Sequence, residues 1–179
     1  MHSNDEEIKR KIISYVDSNS MTLAKSALNS FSRIDCPERQ TISNIFFNKW
    51  KNNSVVLDSW FSFNASIETD DKTIGIEKLF ENKFFDLKSP NTLRAILNTF
   101  VTRNSNFHAM DGSGYKYIAK KIIDFDKLNP IAISRFVKVF SRYNYYSDPY
   151  KSKMIETIKQ IKKYKLSTNT KEVLDAIIE

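Results

Sequence analysis

The sequence is poor in cysteine and has no long apolar run, and each absence excludes a class of protein. The single cysteine, Cys36, excludes an internal disulfide and indicates a reducing compartment. No stretch approaches the roughly 18 apolar residues that a membrane-spanning helix needs. The acidic first seven residues lack the apolar core of a signal peptide. We therefore expect a cytoplasmic protein with no membrane partner.

Histidine is almost as scarce, and its scarcity excludes the commonest kind of hydrolytic metal site. A catalytic zinc ion needs three protein ligands, often including two histidines one helical turn apart. The chain has two histidines, His2 and His108, which lie far apart in sequence without a partner histidine at helical spacing. We predict that this chain contains no catalytic residue, no metal ligand and no cofactor.

Glycine is the third scarce residue type, and its placement marks one segment of the chain. Only three glycines occur, and two of them are Gly112 and Gly114. Glycine reaches positive φ without a steric cost, so two glycines around one serine predict a sharply bent backbone. Apolar residues at helical spacing flank the segment. We therefore predict a tight turn that enters a helix near Ser113 or Tyr115.

The residues of this turn are predicted to be structural, and they are His108, Asp111, Gly112, Ser113, Gly114 and Tyr115. We expect one ring nitrogen of His108 to hold the turn by bonding a backbone carbonyl or Asp111. One alternative is an acid or base function for His108, whose ordinary pKa lies near neutrality. Another alternative is an anion-binding nest of backbone N–H groups over residues 111–114.

Apolar residues recur at helical spacing along the chain, without an alternating strand pattern of useful length. The pattern predicts about ten short helices, whose short links make neighbours antiparallel. Three predicted helices begin with a capping residue followed by proline: Ser89-Pro90, Asn129-Pro130 and Asp148-Pro149. The predicted fold is all-α, an irregular armadillo- or HEAT-like solenoid, in which residues 1–179 form a single helical-repeat domain.

Basic residues outnumber acidic ones by 28 to 21, which gives a formal net charge of +7. The excess lies in the last third of the chain, where lysines such as Lys121 are expected to form a solvated face. Residues 142–146 place three tyrosines next to the basic residue Arg142. We predict a turn between two helices with packed tyrosines, and stacking on single-stranded bases is the alternative. Nucleic acid is not an expected partner.

The glycine segment also carries a family resemblance. Asn106-Phe107-His108-Ala109 followed by Asp111-Gly112-Ser113-Gly114-Tyr115 resembles the signature of the C-terminal helical domain of bacterial aminopeptidase N. The nine residues together are a specific motif, unlike any one short match. Similar matches extend from about Trp50 to the C-terminus and include residues 85–91 with Arg94, residues 128–130, and Ser134-Arg135.

The resemblance implies that the chain is the C-terminal fragment of a larger, zinc-dependent, multidomain aminopeptidase that removes N-terminal amino acids from peptides. In that family the zinc belongs to a separate catalytic domain of the same polypeptide. The helical domain packs over that catalytic domain as a lid, encloses the active-site chamber and limits substrate size. The resemblance thus implies that this chain alone is inactive and that its partners are the catalytic domain and peptide substrates.

The resemblance further implies that Arg94 and Arg135 line this chamber. Both lie beside the apolar stripe of their predicted helices, next to Leu93 and Phe136. Ordinary boundary arginines, with packed stems and solvated guanidinium groups, are the alternative. A different class of function also stays open, namely a stand-alone helical-repeat module whose basic side binds nucleic acid or an acidic protein.

Overall fold

The computed structural model describes residues 6–32 and 36–178, and the regular secondary structure of these two segments is helical. They contain ten α-helices, two 3₁₀ helices and no strand. The elements are α1 (Glu6–Val16), α2 (Met21–Ser30), α3 (Glu38–Trp50), α4 (Ser54–Ala65), α5 (Ile74–Phe80), α6 (Pro90–Arg103), η1 (Ser105–His108), α7 (Ser113–Phe125), α8 (Pro130–Val137), η2 (Lys138–Tyr145), α9 (Tyr150–Ile161) and α10 (Thr168–Ile177). The predicted all-α class of short, successively packed helices is confirmed.

Two of the three predicted cap-and-proline starts are confirmed. Ser89 and Asn129 cap α6 and α8, and each side-chain oxygen accepts a bond of 3.3 Å from the backbone N–H three residues later. The third start is wrong. The Asp148–Pro149 peptide bond is cis and α9 begins at Tyr150. The Asp148 carboxylate accepts a bond from the Ser152 hydroxyl at 2.8 Å, and no side chain caps the backbone of this helix.

Two clusters of buried apolar side chains form the core, and α4 belongs to both. One cluster lies among α1 to α4, and the other extends from α4 to α10. Val56 and Phe63 of α4 lie in the first cluster, whereas Leu57 and Phe61 lie in the second. Trp60 packs against both clusters. Because α4 contacts α2, α3, α5 and α6, it joins the two ends of the helical stack.

A buried amide fixes the end of α6, from which the glycine segment follows. Asn104 is 3% exposed, and its Nδ2 donates to the carbonyl oxygens of Ala65 at 3.1 Å and Ile67 at 2.9 Å. Its Oδ1 accepts a bond of 3.0 Å from the N–H of Asn106 and thereby caps η1. One side chain thus ties the C-terminal end of α4 to the beginning of η1.

One lysine of the basic C-terminal third is buried, contrary to the expectation of a solvated face. Lys121 is 3% exposed, with its Nζ 2.6 Å from Glu77 Oε2 and 4.4 Å from the ring centroid of Phe80. Burial raises the pKa of Glu77, but the bonds from Lys121 and the Tyr117 hydroxyl outweigh it and leave this pKa below its ordinary value. The pair joins α5 to α7, and a buried ammonium group needs such a partner.

Glu77→Gln keeps the size of the side chain but removes the counter-ion of the buried Lys121 ammonium group. We expect the free energy of unfolding to fall by about 2 kcal/mol or more, because an uncompensated buried charge is costly. Urea denaturation at neutral pH measures the change. Glu81→Gln is the matched control, since Glu81 is exposed at the C-terminal end of the same helix. Equal denaturation midpoints for the two variants would contradict this account.

Candidate functional site

The backbone bends at Gly112, as predicted, with φ at +74°. This left-handed conformation strains any residue that carries a Cβ. The N–H of Gly112 donates to the carbonyl oxygen of Ala109 at 2.8 Å and closes the turn. The aliphatic chain of Lys153 covers the glycine, and a Cβ there would lie 3.1 Å from Lys153 Cδ. Both the conformation and the packing therefore favour glycine at this position.

Gly114 is required for a different reason, which the sequence did not indicate. It is the second residue of α7, and its φ lies outside the positive region. A Cβ at Gly114 would lie only 2.4 Å from the carbonyl oxygens of Asn106 and Phe107. These oxygens belong to the backbone of η1, which cannot move aside as a flexible side chain can. The missing side chain therefore allows α7 to pack directly on η1.

Asp111 occupies the N-terminal end of α7. Its Oδ1 accepts a bond of 3.0 Å from the N–H of Ser113, and its Oδ2 lies 2.6 Å from Lys72 Nζ. The bond from Lys72, with that from Ser113, holds the pKa of Asp111 well below its ordinary value. A carboxylate of the protein itself thus accepts the first free N–H of this helix. The arrangement does not support an anion-binding nest.

His108 bonds neither a backbone carbonyl nor Asp111, and this prediction is wrong. Its Nδ1 lies 2.7 Å from the Tyr115 hydroxyl, and its Nε2 lies 3.4 Å from the Tyr146 hydroxyl. Burial lowers the pKa of His108, and burial also raises the pKa of Tyr115 to about 12. All three groups lie in one aromatic cluster that joins η1, α7 and the end of η2. The contacts of His108 in this cluster are those of a structural residue.

The tyrosine-rich segment forms the 3₁₀ helix η2 and not a plain turn. Tyr143 and Tyr146 pack against the larger apolar cluster, as predicted, whereas Tyr145 is 88% exposed. Sequence reasoning missed Tyr146 as a partner of His108, because 38 residues separate the two. In the sequence, the run of tyrosines was the one feature that could have indicated a tyrosine partner for His108.

A groove of about 1090 Å³ lies beside this aromatic cluster. One wall comes from α6 and η1, and another comes from α8 and η2. The rest of the lining comes from α3 and from the residues that follow α2 and α4. The lining residues are Ser32, Arg39, Ser66, Glu68, Asn98, Val101, Thr102, Arg103, Asn104, Ser105, Phe107, His108, Arg135, Phe136, Lys138, Val139, Arg142 and Tyr146. The groove therefore crosses the helical stack and includes the histidine of the glycine segment.

The groove contains one of the two arginines singled out from the sequence. Arg135 lines it, whereas Arg94 does not. Both side chains are exposed, and both belong to helices that form the walls. The groove uses the later part of α6, residues 98–103, and Arg94 lies one turn before that part. The structure does not bring the two arginines together, and their contact with a substrate stays a prediction.

The lining of the groove is strongly basic. It contains five cationic residues, Arg39, Arg103, Arg135, Lys138 and Arg142, and one carboxylate, Glu68. Arg39 donates to the carbonyl oxygens of Phe31 and Ser32. In the described part of the chain, no carboxylate lies within ion-pair distance of the other four cations. We call this surface the basic groove.

Within residues 6–32 and 36–178, no three or more side chains of histidine, cysteine, aspartate and glutamate lie close enough together to hold a metal ion. His2 lies outside these residues. None of the helices in the same two segments has the length and apolar character needed to cross a bilayer.

Comparison with known proteins places this helical stack in a family. A family model described as a domain of unknown function (DUF3458_C) with ARM repeats matches residues 1–179. The chain belongs to this family. The DUF3458_C domain is 29% identical to aminopeptidase N of Escherichia coli (strain K12) over 147 residues, which cover 82% of this chain and 17% of that protein. It is 28% identical to aminopeptidase N of Haemophilus influenzae over 131 residues, which cover 73% of this chain and 15% of that protein.

A solved structure with the same fold is the crystal structure of Legionella pneumophila aminopeptidase A in complex with aspartic acid. It matches the DUF3458_C domain with a TM-score of 0.85 at 28% identity, over 97% of this chain and 21% of that one. The chain thus spans about a fifth or less of the length of these relatives. Together the matches identify it as a C-terminal domain of the aminopeptidase N type.

Alanine substitution of the three glycines separates packing from backbone conformation. Gly114→Ala should lower the free energy of unfolding by about 2 kcal/mol or more, because two backbone oxygens must move. Gly112→Ala should lower it by about 1 kcal/mol, because alanine is strained at positive φ. Gly75→Ala is the control, since Gly75 is also the second residue of a helix but a Cβ there would lie 3.4 Å from its nearest neighbour.

Urea denaturation of the three variants measures these changes. Gly75→Ala should leave the stability unchanged or raise it by up to about 1 kcal/mol. A Gly114→Ala variant as stable as Gly75→Ala would show that α7 does not depend on this close approach to η1.

Stability should also depend on pH through His108. The folded state lowers the pKa of this residue from its ordinary value of 6.5, so the unfolded chain binds the proton more tightly. The stabilisation is complete above that value and is lost as the pH falls through the lower folded-state pKa. We expect His108→Gln to flatten this decline in the free energy of unfolding, measured by denaturation across the acid range. An equal decline in wild type and variant would assign it to other groups.

Proposed function

We propose that this domain is the C-terminal lid of a zinc-dependent aminopeptidase N, which removes N-terminal amino acids from peptides. The lid packs over the catalytic domain of the same polypeptide and closes the chamber in which hydrolysis occurs. It limits substrates to peptides short or unfolded enough to enter. Membership of the DUF3458_C family and 29% identity to an aminopeptidase N support this proposal.

The zinc ion of this proposal belongs to the catalytic domain. The described residues of the lid offer no set of side chains that fits a metal ion, so no catalytic step is assigned to them. Their contribution is a rigid wall of packed helices that keeps bulk water and folded proteins away from the reaction. The 179-residue chain by itself is accordingly proposed to be inactive.

We propose that the basic groove lies on the side of the lid that faces the chamber. The groove itself is the observation that carries this part of the proposal. Most of its lining residues lie on helices, where side chains are held more firmly than on loops. Arg135 lies in the groove, whereas Arg94 lies on α6 one turn before the residues of that helix that line the groove. We propose that Arg135 contacts bound peptides within the groove and that Arg94 lines the chamber beyond it.

The proposal includes the extent and location of the domain. We propose that residues 1–179 are one helical-repeat domain of a larger multidomain aminopeptidase. The apolar clusters that meet on α4 support a single unit within the described residues. The same proposal includes a cytoplasmic location. The presence of a single cysteine, Cys36, supports it because this indicates a reducing compartment.

A stand-alone module that binds nucleic acid or an acidic protein is the second candidate. The four cations of the basic groove that pair with no described carboxylate favour it. Salt separates the candidates, because binding through several phosphates weakens steeply between about 50 and 200 mM salt.

Arg135→Ala in the full-length enzyme tests the assignment of the groove to the chamber. A charge-assisted bond to a peptide is worth roughly 1.5 to 3 kcal/mol, so kcat/KM for a tetrapeptide should fall by roughly tenfold or more. A single-residue chromogenic substrate should be much less affected, since it is too short to reach the lid. Arg10→Ala is the control, because Arg10 is exposed on α1 and outside the groove lining.

The melting temperature of each variant should be recorded with the kinetics. If Arg135→Ala retained the wild-type melting temperature and the wild-type kcat/KM on the tetrapeptide, Arg135 would be an ordinary boundary arginine.

A further inference from the structure

Three cations of the basic groove lie along one wall. Arg135 is in α8, and Lys138 and Arg142 follow it in η2. All three side chains belong to the lining of the groove. Arg103, in the last turn of α6, lines the opposite wall. The groove therefore presents positive charge from both sides.

The described lining leaves most of this positive charge unneutralised. Glu68 is the single carboxylate there, and it accepts a bond of 3.2 Å from the N–H of Ser105. Like charges that share a cleft repel one another, and low-dielectric walls strengthen their field. An anionic ligand would relieve this repulsion.

The chemistry of the lining indicates which kind of anion fits. Three of the four cations are arginines, whose planar guanidinium group binds a carboxylate through two parallel hydrogen bonds. The same lining contains the apolar side chains of Val101, Phe136 and Val139. Such a lining suits a peptide, which carries both a carboxylate and apolar side chains.

The tyrosines of η2 and its end do not favour nucleic acid as the ligand. Sequence-tolerant binding of single strands depends on exposed aromatic faces on which bases stack. Tyr145 is the most exposed tyrosine of η2, at 88%, but it does not line the groove. Tyr146 lines it but packs against the ring of His108, with centroids 4.9 Å apart.

We propose that the basic groove is a carboxylate-binding site for peptides, formed by Arg103, Arg135 and Arg142. Its ligand is the C-terminal carboxylate of a peptide or the side-chain carboxylate of an aspartate or glutamate within it. The inference rests on the proposed function in one respect, namely that the peptide is a substrate of the full-length enzyme. The lid would then hold the acidic end of a peptide while its N-terminus reaches the catalytic domain.

Binding to the 179-residue chain tests the site without the catalytic domain. The probes are an N-acetylated alanine pentapeptide as the free acid, the same peptide as the C-terminal amide, and the amide with one central alanine replaced by glutamate. Titrations at low salt, followed by nitrogen-15 NMR, give the affinities. The free acid and the glutamate amide should each bind at least about tenfold more tightly than the neutral amide, as expected for a charge-assisted pair.

Matched variants locate the binding. Arg135→Gln and Arg142→Gln should each weaken binding of the free acid by about tenfold, whereas Arg10→Gln should leave it unchanged. The amide spectrum of each variant verifies its fold. If only one of the two charged peptides binds better than the amide, the ligand is the corresponding carboxylate, C-terminal or side-chain.

Equal affinity for all three peptides would overturn the carboxylate site, and so would an equal effect of Arg10→Gln. A thymidine oligonucleotide that binds more tightly than the free acid would assign the groove to nucleic acid instead. The lid proposal can fail separately. If the isolated domain prefers the acid while the full-length protein cleaves no N-terminal residue, the site stands without that function. If the three peptides bind equally while Arg135→Ala still lowers kcat/KM, the lid stands without this site.

Discussion

The close approach of α7 to η1 at Gly114 is the constraint on which the geometry of the groove depends. The carbonyl oxygens of η1 lie 2.4 Å from where a Cβ would stand, so only glycine permits this contact. The next residue, Tyr115, enters the core at that point, and its hydroxyl holds the ring of His108. His108 ends η1, and Tyr146 packs on it from the end of η2. The two walls of the basic groove therefore meet at the ring of His108, and the position of that ring depends on the absence of a side chain at Gly114.

Two buried charges of the described fold are paired, whereas four cations of the groove have no described carboxylate within ion-pair distance. Asp126 is 1% exposed and accepts bonds from the N–H and the hydroxyl of Ser167 and from the hydroxyl of Thr170. Lys121 is equally well paired with Glu77. A fold that pairs these two buried charges, yet concentrates cations in one cleft, departs from the general pattern where function is expected. This contrast is the physical basis for assigning the groove to a ligand.

The fold could be predicted from the sequence because its signals are local. Caps, prolines and the positive φ of Gly112 depend on neighbouring residues, and apolar periodicity depends on one helix at a time. The bond between His108 and Tyr146 joins residues 38 apart, and no periodic pattern records which helices meet. For the same reason the sequence could not distinguish Arg94 from Arg135. Both lie at the edge of an apolar stripe, but only Arg135 lies in the part of the helical stack that opens as a groove.

The central claim is that the basic groove faces an enclosed chamber in the full-length enzyme. Cysteine accessibility tests it directly, with Thr102→Cys in the groove, Thr168→Cys on α10 as an exposed control, and Cys36→Ser in both backgrounds. The account predicts that a small maleimide labels position 102 in the full-length enzyme, whereas a long polyethylene glycol maleimide labels it only in the isolated domain. Equal labelling of position 102 by the long reagent in both proteins, with position 168 labelled throughout, would contradict the claim.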